Sequence, residues 1–342
     1  MEFLTDYGLF LAKTITIIGG SIAVIITIFA LASRSKEEKN EHIEIKKLND
    51  KYAEIEQQLK AFMATKSEAK QLEKEHKAKL KADKKNVESS ERQRIFVLNF
   101  HGDMRAGAVS CLREEITAIL TIARKNDEVF LRLDSAGGLV HAYGLAASQL
   151  QRIKDNAIHL TISVDKVAAS GGYLMACLAN KIIAAPFAVL GSIGVVAQIP
   201  NFNRLMKKHD IDYELITAGQ YKRTLTSLGE NTDAARSKFK EDIEDTHLLF
   251  KEFVKEHRPV VDIDQVSTGE HWFGTRAQDI KLVDELKTSD DYLLKKSAYN
   301  DLYEITYTEK KKFGSKLALF FSSIVDKVLV SVKTKYHENQ LP

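Results

Sequence analysis

A serine followed by two glycines, Ala168-Ala169-Ser170-Gly171-Gly172-Tyr173, is the stretch of this chain best suited to covalent chemistry. The alternating run from Ala157 to Val164 reads as a strand leading in, and Tyr173 to Leu178 as a helix leading away, which puts Ser170 at a strand-to-helix junction. The first N–H groups of a helix lack intrahelical partners, so a hydroxyl there stands beside donors able to hold a developing oxyanion. A serine at such a junction can also simply cap the helix. A serine hydroxyl is a weak nucleophile until a base takes its proton, and that base can be histidine or lysine.

Lys222 is the lysine in the most suggestive setting. It follows an expected apolar strand, Tyr213 to Thr217, and a turn-like Ala218-Gly219-Gln220-Tyr221. The alternative is an ordinary surface lysine beside Arg223, since lysine is mostly exposed. Among the ten histidines, His101, His141 and His159 lie in the same half of the domain and keep a Ser-His-Asp arrangement open. His159 alternates with apolar neighbours, which suits a core or sheet-edge residue. No H-E-x-x-H or clustered His/Cys spacing is present, so neither a metal nor a cofactor is expected. Cys111 and Cys177 lack C-x-x-C spacing and read as buried thiols.

These residues need a scaffold. Arg94 to Phe100 and Glu128 to Leu133 read as strands, Val109 to Ala123 and Leu139 to Lys154 as helices, and Lys181 to Ala185 as a further apolar strand. Strands alternating with helices predict an α/β domain with parallel strands and right-handed crossovers, whose working groups gather at the carboxyl ends of the strands. Gly137-Gly138 and Ser170 both fall at that end. Further on, Asp233 to His257 reads as a long amphipathic helix with Phe239, Ile243, Leu248, Leu249, Phe250 and Phe253 on its apolar side. Gly269 to Gly274 reads as a loop and Ala277 to Leu286 as a helix.

Four motifs in order carry a specific resemblance. They are Asp134-Ser135-Ala136-Gly137-Gly138, Ala169-Ser170-Gly171-Gly172-Tyr173, Gly191-Ser192-Ile193-Gly194-Val195 and Gly219-Gln220-Tyr221-Lys222-Arg223. From about Ile95 to Leu286 the chain resembles the SohB branch of the signal peptide peptidase A family. The resemblance implies a ClpP/crotonase-like spiral of β-β-α units and a membrane-bound serine peptidase acting on peptide or protein substrates. Carried over by motif, Ser170 would be the nucleophile and Lys222 its base. Ser192 would hydrogen-bond the Lys222 amine and aim it, or be a plain turn serine. The N–H of Gly171, with that of Gly137 or Gly138, would face the oxyanion, because glycine lets backbone approach closely. Asp134 stands where related families commonly have asparagine and is given no catalytic role. A non-catalytic membrane scaffold and a crotonase-like acyl-thioester hydrolase are the other readings.

The remaining sequence concerns location and assembly. No charged side chain occurs from Thr14 to Ser33, and about 20 such residues span a bilayer core. Residues 1–33 therefore read as a single-pass anchor contacting lipid through 14–33. Ala30-Leu31-Ala32 resembles a signal-peptidase site, but Glu2 and Asp6 replace the usual basic cluster, and the run is long for a cleaved signal. Lysine and arginine after the span place the downstream chain in the cytoplasm, whereas the resemblance implies a bacterial inner membrane protein with a periplasmic catalytic domain; the expectation follows the resemblance. Residues 34–93, rich in Lys, Glu, Gln and Ala, read as a charged helical stalk with a short heptad stripe of Ile45, Leu48, Tyr52, Ile55, Leu59 and Phe62. The peptidase domain would then cover 94–307, and 308–342 would be an amphipathic tail from Phe313 to Val332 for packing or membrane docking. Stripe, tail and fold together predict a homo-oligomer. A net charge of +3 among 342 residues gives no nucleic-acid footprint.

Overall fold

The computed structural model describes residues 7–14, 16–17, 19–20, 42–65, 68 and 92–308. The chain divides into two compact units, Ile43–Tyr307 and Met1–His42 with Thr308–Pro342. In the latter unit residues 7–14 are helical. No helix among the described residues is long and apolar enough to cross a membrane. Most of the apolar run 14–33, the far part of the charged segment and the tail 309–342 lie outside the described residues.

The larger unit is built on a mostly parallel sheet. In chain order its strands are β1 (His42–Lys47), β2 (Arg94–Gly102), β3 (Glu128–Ser135), β4 (His159–Val164), β5 (Val167–Ala169), β6 (Lys181–Ala184), β7 (Val189–Gly191), β8 (His271–Phe273), β9 (Glu285–Leu286) and β10 (Asp301–Thr308). Seven of them lie in the order β1-β10-β2-β3-β4-β6-β9, with every pairing from β10 to β9 parallel, and off that path β5 pairs with β3 and β7 in parallel and β7 with β8 antiparallel. Parallel strands covered on both faces read as continuous apolar runs, which is why Ile95-Phe96-Val97-Leu98 is buried without a break.

Alternate residues feed two cores. Phe96, Leu98 and Phe100 join one, with α2 (Val109–Ile122), α3 (Val140–Asp155) and α4 (Gly171–Ala176) packed over them. Ile95 and Val97 join the other with Phe130, Leu302 and Leu293, the last from α9 (Ser289–Lys296). Phe130 stacks on Tyr292 there, ring centroids 5.0 Å apart, a contact that adds about 1 kcal/mol to the burial of both rings. The fold is thus helix on sheet on helix around the carboxyl ends that carry the expected site.

The charged segment departs from its helical expectation at its start. His42–Lys47 is a strand beside β10, because Ile43 and Ile45 repeat at the two-residue period of a strand and are β-branched. Helix α1 (Leu48–Met63) follows, and its first turn is stitched to the domain by Asn49. The Asn49 amide donates to Ser297 O (3.0 Å) and Asn300 O (2.9 Å), and its oxygen accepts from Leu302 N (2.8 Å). The heptad stripe splits accordingly: Leu48 is buried and Tyr52 packs beside it, whereas Ile55, Leu59 and Phe62 are exposed.

Beyond β7 the expected strand at Tyr213–Thr217 does not form. The segment is irregular and exposed, Ile216 by 92%, since no neighbouring strand offers it a ladder. One short helix, α5 (Asn203–Lys208), precedes it. The long helix α6 (Asp233–His257) starts on a Thr232 cap that accepts from Ala235 N, and it keeps Leu248 and Leu249 exposed while Phe250 and Phe253 pack on the core. The expected 277–286 helix is instead a short α8 (Gly274–Asp279), after α7 (Ile263–Val266), followed by β9.

Candidate active site

Ser170 sits between β5 and α4 with φ 52° and ψ −120°, a backbone conformation that side-chain-bearing residues seldom adopt. Its hydroxyl does not cap the helix it precedes. The N-cap reading therefore does not account for this residue. Two contacts hold the corner: Ser170 N–H donates to Gly191 O (2.8 Å), and Ser170 O accepts from Leu174 N (3.0 Å). Tyr173, fully buried, fixes the helix from below by donating its hydroxyl to Leu282 O (3.1 Å), and burial pushes its phenol well above the ordinary range.

The glycine turn after β3 meets this corner. Gly137 has φ 88°, and a Cβ placed on it would lie 2.7 Å from Gly171 N, 2.8 Å from Ala169 O and 2.9 Å from Ser170 Cβ. Only glycine fits. Gly171 is held as closely from the other side, since a Cβ there would sit 2.4 Å from Cγ of the buried Tyr143 ring. Gly137 N–H donates to Ser135 Oγ (3.1 Å), and Leu139 N–H donates to Met104 O (2.9 Å). The N–H groups of Gly138 and Gly171 find no acceptor among the described residues.

Ser192 lies just beyond the carbonyl that receives the Ser170 N–H, itself at φ 52° and half-buried. Its N–H donates to Glu270 O (2.6 Å), and His247 of α6 donates through Nε2 to Ile193 O (3.2 Å). The turn is therefore clamped by the segment before β8 and by the long helix. The sequence gives no role to Glu270, His247, Ser135 or Tyr143, although Ser135 lies in the Asp134–Gly138 motif and Glu270 in the Gly269–Gly274 loop.

Lys222 is brought to no such place within the single chain. It is exposed, in a turn closed by its own N–H on Gly219 O (3.2 Å), with no amine partner among the described residues. The adjoining Tyr221 ring lies under Lys238 of α6 (5.4 Å), which ties the loop to that helix. Arg223, Tyr213, Leu215 and Ile199 line an open recess of about 440 Å³ beside it.

None of the three histidines makes a hydrogen bond with Ser170 among the described residues. His159 is exposed at the first residue of β4, opposite Glu128, at the far end of the sheet from the β5–α4 junction. His101 faces Asp134 (3.5 Å), whose carboxylate also pairs with Lys166 (3.2 Å). His141 is exposed in the first turn of α3. Among the described residues no group of His, Cys, Asp and Glu is placed to hold a metal ion. Burial pushes the Cys177 thiol up to about 12, so it is inert; Cys111 is half-buried.

With the geometry in hand, comparison with known proteins is specific. The N-terminal model of peptidase family S49 matches residues 2–150, and the main S49 model matches 152–302. A probable protease SohB of Haemophilus influenzae is 48% identical over 328 residues, covering 92% of both chains. Another from Buchnera aphidicola subsp. Acyrthosiphon pisum is 48% identical over 312 residues, covering 91% of this chain and 92% of that one. A solved structure of a mutant 1510-N membrane-bound stomatin-specific protease is 16% identical with a TM-score of 0.41, over 60% of this chain and 86% of that one. Matched along both halves and at this identity over nearly its whole length, the chain belongs to peptidase family S49.

Proposed function

We propose that the chain is a membrane-anchored serine endopeptidase that cleaves unfolded or membrane-derived peptides through an acyl-enzyme, with Ser170 as nucleophile and Lys222 as base. The observation that carries this reading is the strained corner at Ser170, with its hydroxyl unspent on capping and two glycine N–H groups left without acceptors beside it. Ser170 Oγ bonds to the scissile carbonyl carbon as its proton passes to the Lys222 amine. The carbonyl oxygen gathers charge opposite Gly171 N–H and Gly138 N–H, since Gly137 N–H is already held by Ser135. The C–N bond then breaks, the leaving amine takes the proton back, and water repeats the cycle on the ester.

Because Lys222 is exposed in one chain, the reading includes assembly. Val196 ahead of α5, and Ile216 and Tyr221 on the loop that bears Lys222, are exposed and together with Ile55, Leu59 and Phe62 on α1 supply apolar surface for a second copy to cover. Covering that loop would bring the lysine into a desolvated site, with Ser192 aiming it. The overall fold is read as a ClpP/crotonase-like spiral, residues 14–33 as its bilayer anchor in a bacterial inner membrane, and the peptidase domain as periplasmic. Alkaline phosphatase fused after Leu286 should then be active in cells; an inactive fusion with an active cytoplasmic reporter reverses the sidedness.

Labelling by a fluorophosphonate tests the chemistry. Wild-type protein should label at Ser170, and Ser170→Ala and Lys222→Arg should each lower peptide turnover by at least about 10³-fold, because a guanidinium does not give up its proton. Labelling that survives Ser170→Ala, or full proteolysis by Lys222→Arg, would overturn the assignment. Turnover of acyl-CoA in place of peptides would mark a thioester hydrolase, and neither activity a scaffold.

A further inference from the structure

Four polar groups behind the glycine turn form one hydrogen-bonded line. Gly137 N lies 3.1 Å from Ser135 Oγ, Ser135 Oγ lies 2.5 Å from Tyr143 Oη, and Tyr143 Oη lies 2.8 Å from Asp103 O. The direction of every bond is forced. A carbonyl only accepts, so the single Tyr143 proton goes to Asp103 O. The Ser135 proton must then go to Tyr143 Oη, which leaves the Ser135 oxygen to accept from Gly137 N–H. Ser135 is 1% exposed and Tyr143 0%, so the link between the two hydroxyls is closed to water. Burial also holds the Tyr143 phenol above its ordinary value, which keeps the donor protonated.

Both ends of the line are fixed. Asp103 Oδ1 accepts from Arg105 N (3.0 Å) and Gly107 N (2.8 Å), which holds its own loop rigid. At the other end Gly137 packs on Ser170 and Gly171 N, and the face of the Tyr143 ring packs on Gly171. The same tyrosine therefore sets the turn that carries Gly138 and the first residue of the nucleophile's helix. The next link along the turn, Leu139 N–H to Met104 O, pins it on the far side of Gly138.

We propose that Ser135 and Tyr143 are positioning residues: their hydroxyl line, running from Gly137 N–H to Asp103 O, aims the Gly138 N–H and fixes its separation from Gly171 N–H. This rests on the serine-peptidase reading above. Neither side chain touches substrate. Each acts by fixing a donor whose value lies in the transition state, so its loss falls on turnover and not on ground-state binding.

The test uses the full-length chain in detergent, with a peptide substrate and a peptide boronate that forms a tetrahedral adduct on a serine. Tyr143→Phe keeps the ring against Gly171 and removes only the relay oxygen; Ser135→Ala removes the acceptor of Gly137 N–H. Full removal of an oxyanion donor costs about 10²–10³ in turnover, and misaiming one should cost about 10–100-fold. The expected result is that loss in kcat, KM within about twofold, boronate affinity weakened by the same factor as kcat/KM, and a double variant little worse than either single, as for groups acting as a unit. Wild-type kcat and boronate affinity in Tyr143→Phe would overturn the proposal, as would a loss of turnover with unchanged boronate affinity. Should Ser135→Ala fail to fold, Tyr143→Phe decides alone. Ser170→Ala separates the two readings: if it stays active the serine mechanism itself is wrong, whereas an inactive Ser170→Ala beside a fully active Tyr143→Phe refutes only the relay.

Discussion

Replacing Ser170 by glycine should make the protein more stable than replacing it by alanine. At φ 52° and ψ −120° a residue with a Cβ carries strain of about 1–3 kcal/mol, which alanine retains and glycine relieves. Glycine also loosens the unfolded chain, which costs about 0.5–1 kcal/mol. The hydroxyl makes no cap bond, so its removal in Ser170→Ala should change stability by no more than about 0.5 kcal/mol. The net advantage of Gly over Ala is then between about 0 and 2.5 kcal/mol and about 1 kcal/mol at the middle of both ranges, or up to about 10 °C in Tm at ~2–4 °C per kcal/mol for a unit of this size. Urea titrations of the two variants, followed by circular dichroism under one detergent condition, measure the difference directly. Alanine above glycine would show that the corner is unstrained in solution and remove the main support for Ser170 as a poised nucleophile.

Gly137→Ala should lower turnover by about 10²-fold or more while costing about 2–4 kcal/mol of stability. The added carbon would crowd Gly171 N at 2.7 Å and Ser170 Cβ at 2.9 Å and would sit at a positive φ; fluorophosphonate labelling at the wild-type rate would contradict this. Acid should weaken the domain partly through Glu285, whose carboxyl is held down to about 2 by hydrogen bonds from Lys181 first and Lys287 second. A depressed carboxyl contributes above its unfolded value of about 4.5 and loses that contribution as pH falls toward about 2; because the group is a third exposed, screening keeps the effect to about 1 kcal/mol or less. Glu285→Gln should therefore flatten the stability profile between those pH values, and an unchanged profile would rule the pair out.

The parts of the fold legible in the sequence were those under the strongest hydrophobic constraint. Strands β2, β3, β4 and β6 are largely buried, and each shows in the sequence as a short apolar run, such as Ile95 to Leu98, or as an apolar alternation, as from Leu160 to Val164. Helix α6 announces itself by its Thr232 cap and its stripe. The two strands at the other edge were harder. β1 hides two isoleucines in a lysine- and glutamate-rich block, and β10 mixes Asp301, Glu304 and Thr308 with Leu302 and Ile305 in a half-exposed pattern. Tyr213–Thr217 has the right alternation for a strand, but alternation gives no partner, and the ladder never forms. At the site, the strand-Ser-Gly-Gly order put Ser170 at a strand-to-helix junction, which is where it lies. It carried nothing about the sign of φ at Ser170, the hydroxyls behind Gly137, or the exposure of Lys222, which depend on how distant segments close on one another.

The edge strand β1 also changes where this chain can be cut. A shortened protein beginning at residue 94 would look sensible from composition, since it discards the apolar N-terminal run and the charged segment and keeps every motif. It would in fact strip a strand from the sheet, bare the β10 edge, and leave Leu302 N and the carbonyls of Ser297 and Asn300 without the Asn49 amide. An open ladder of unpaired donors and acceptors invites pairing between molecules. Clumping of such a fragment during purification would then report a missing edge, not an intrinsically sticky peptidase. A soluble version that begins ahead of His42 retains the strand and the asparagine clamp, and it is the one on which activity can be judged.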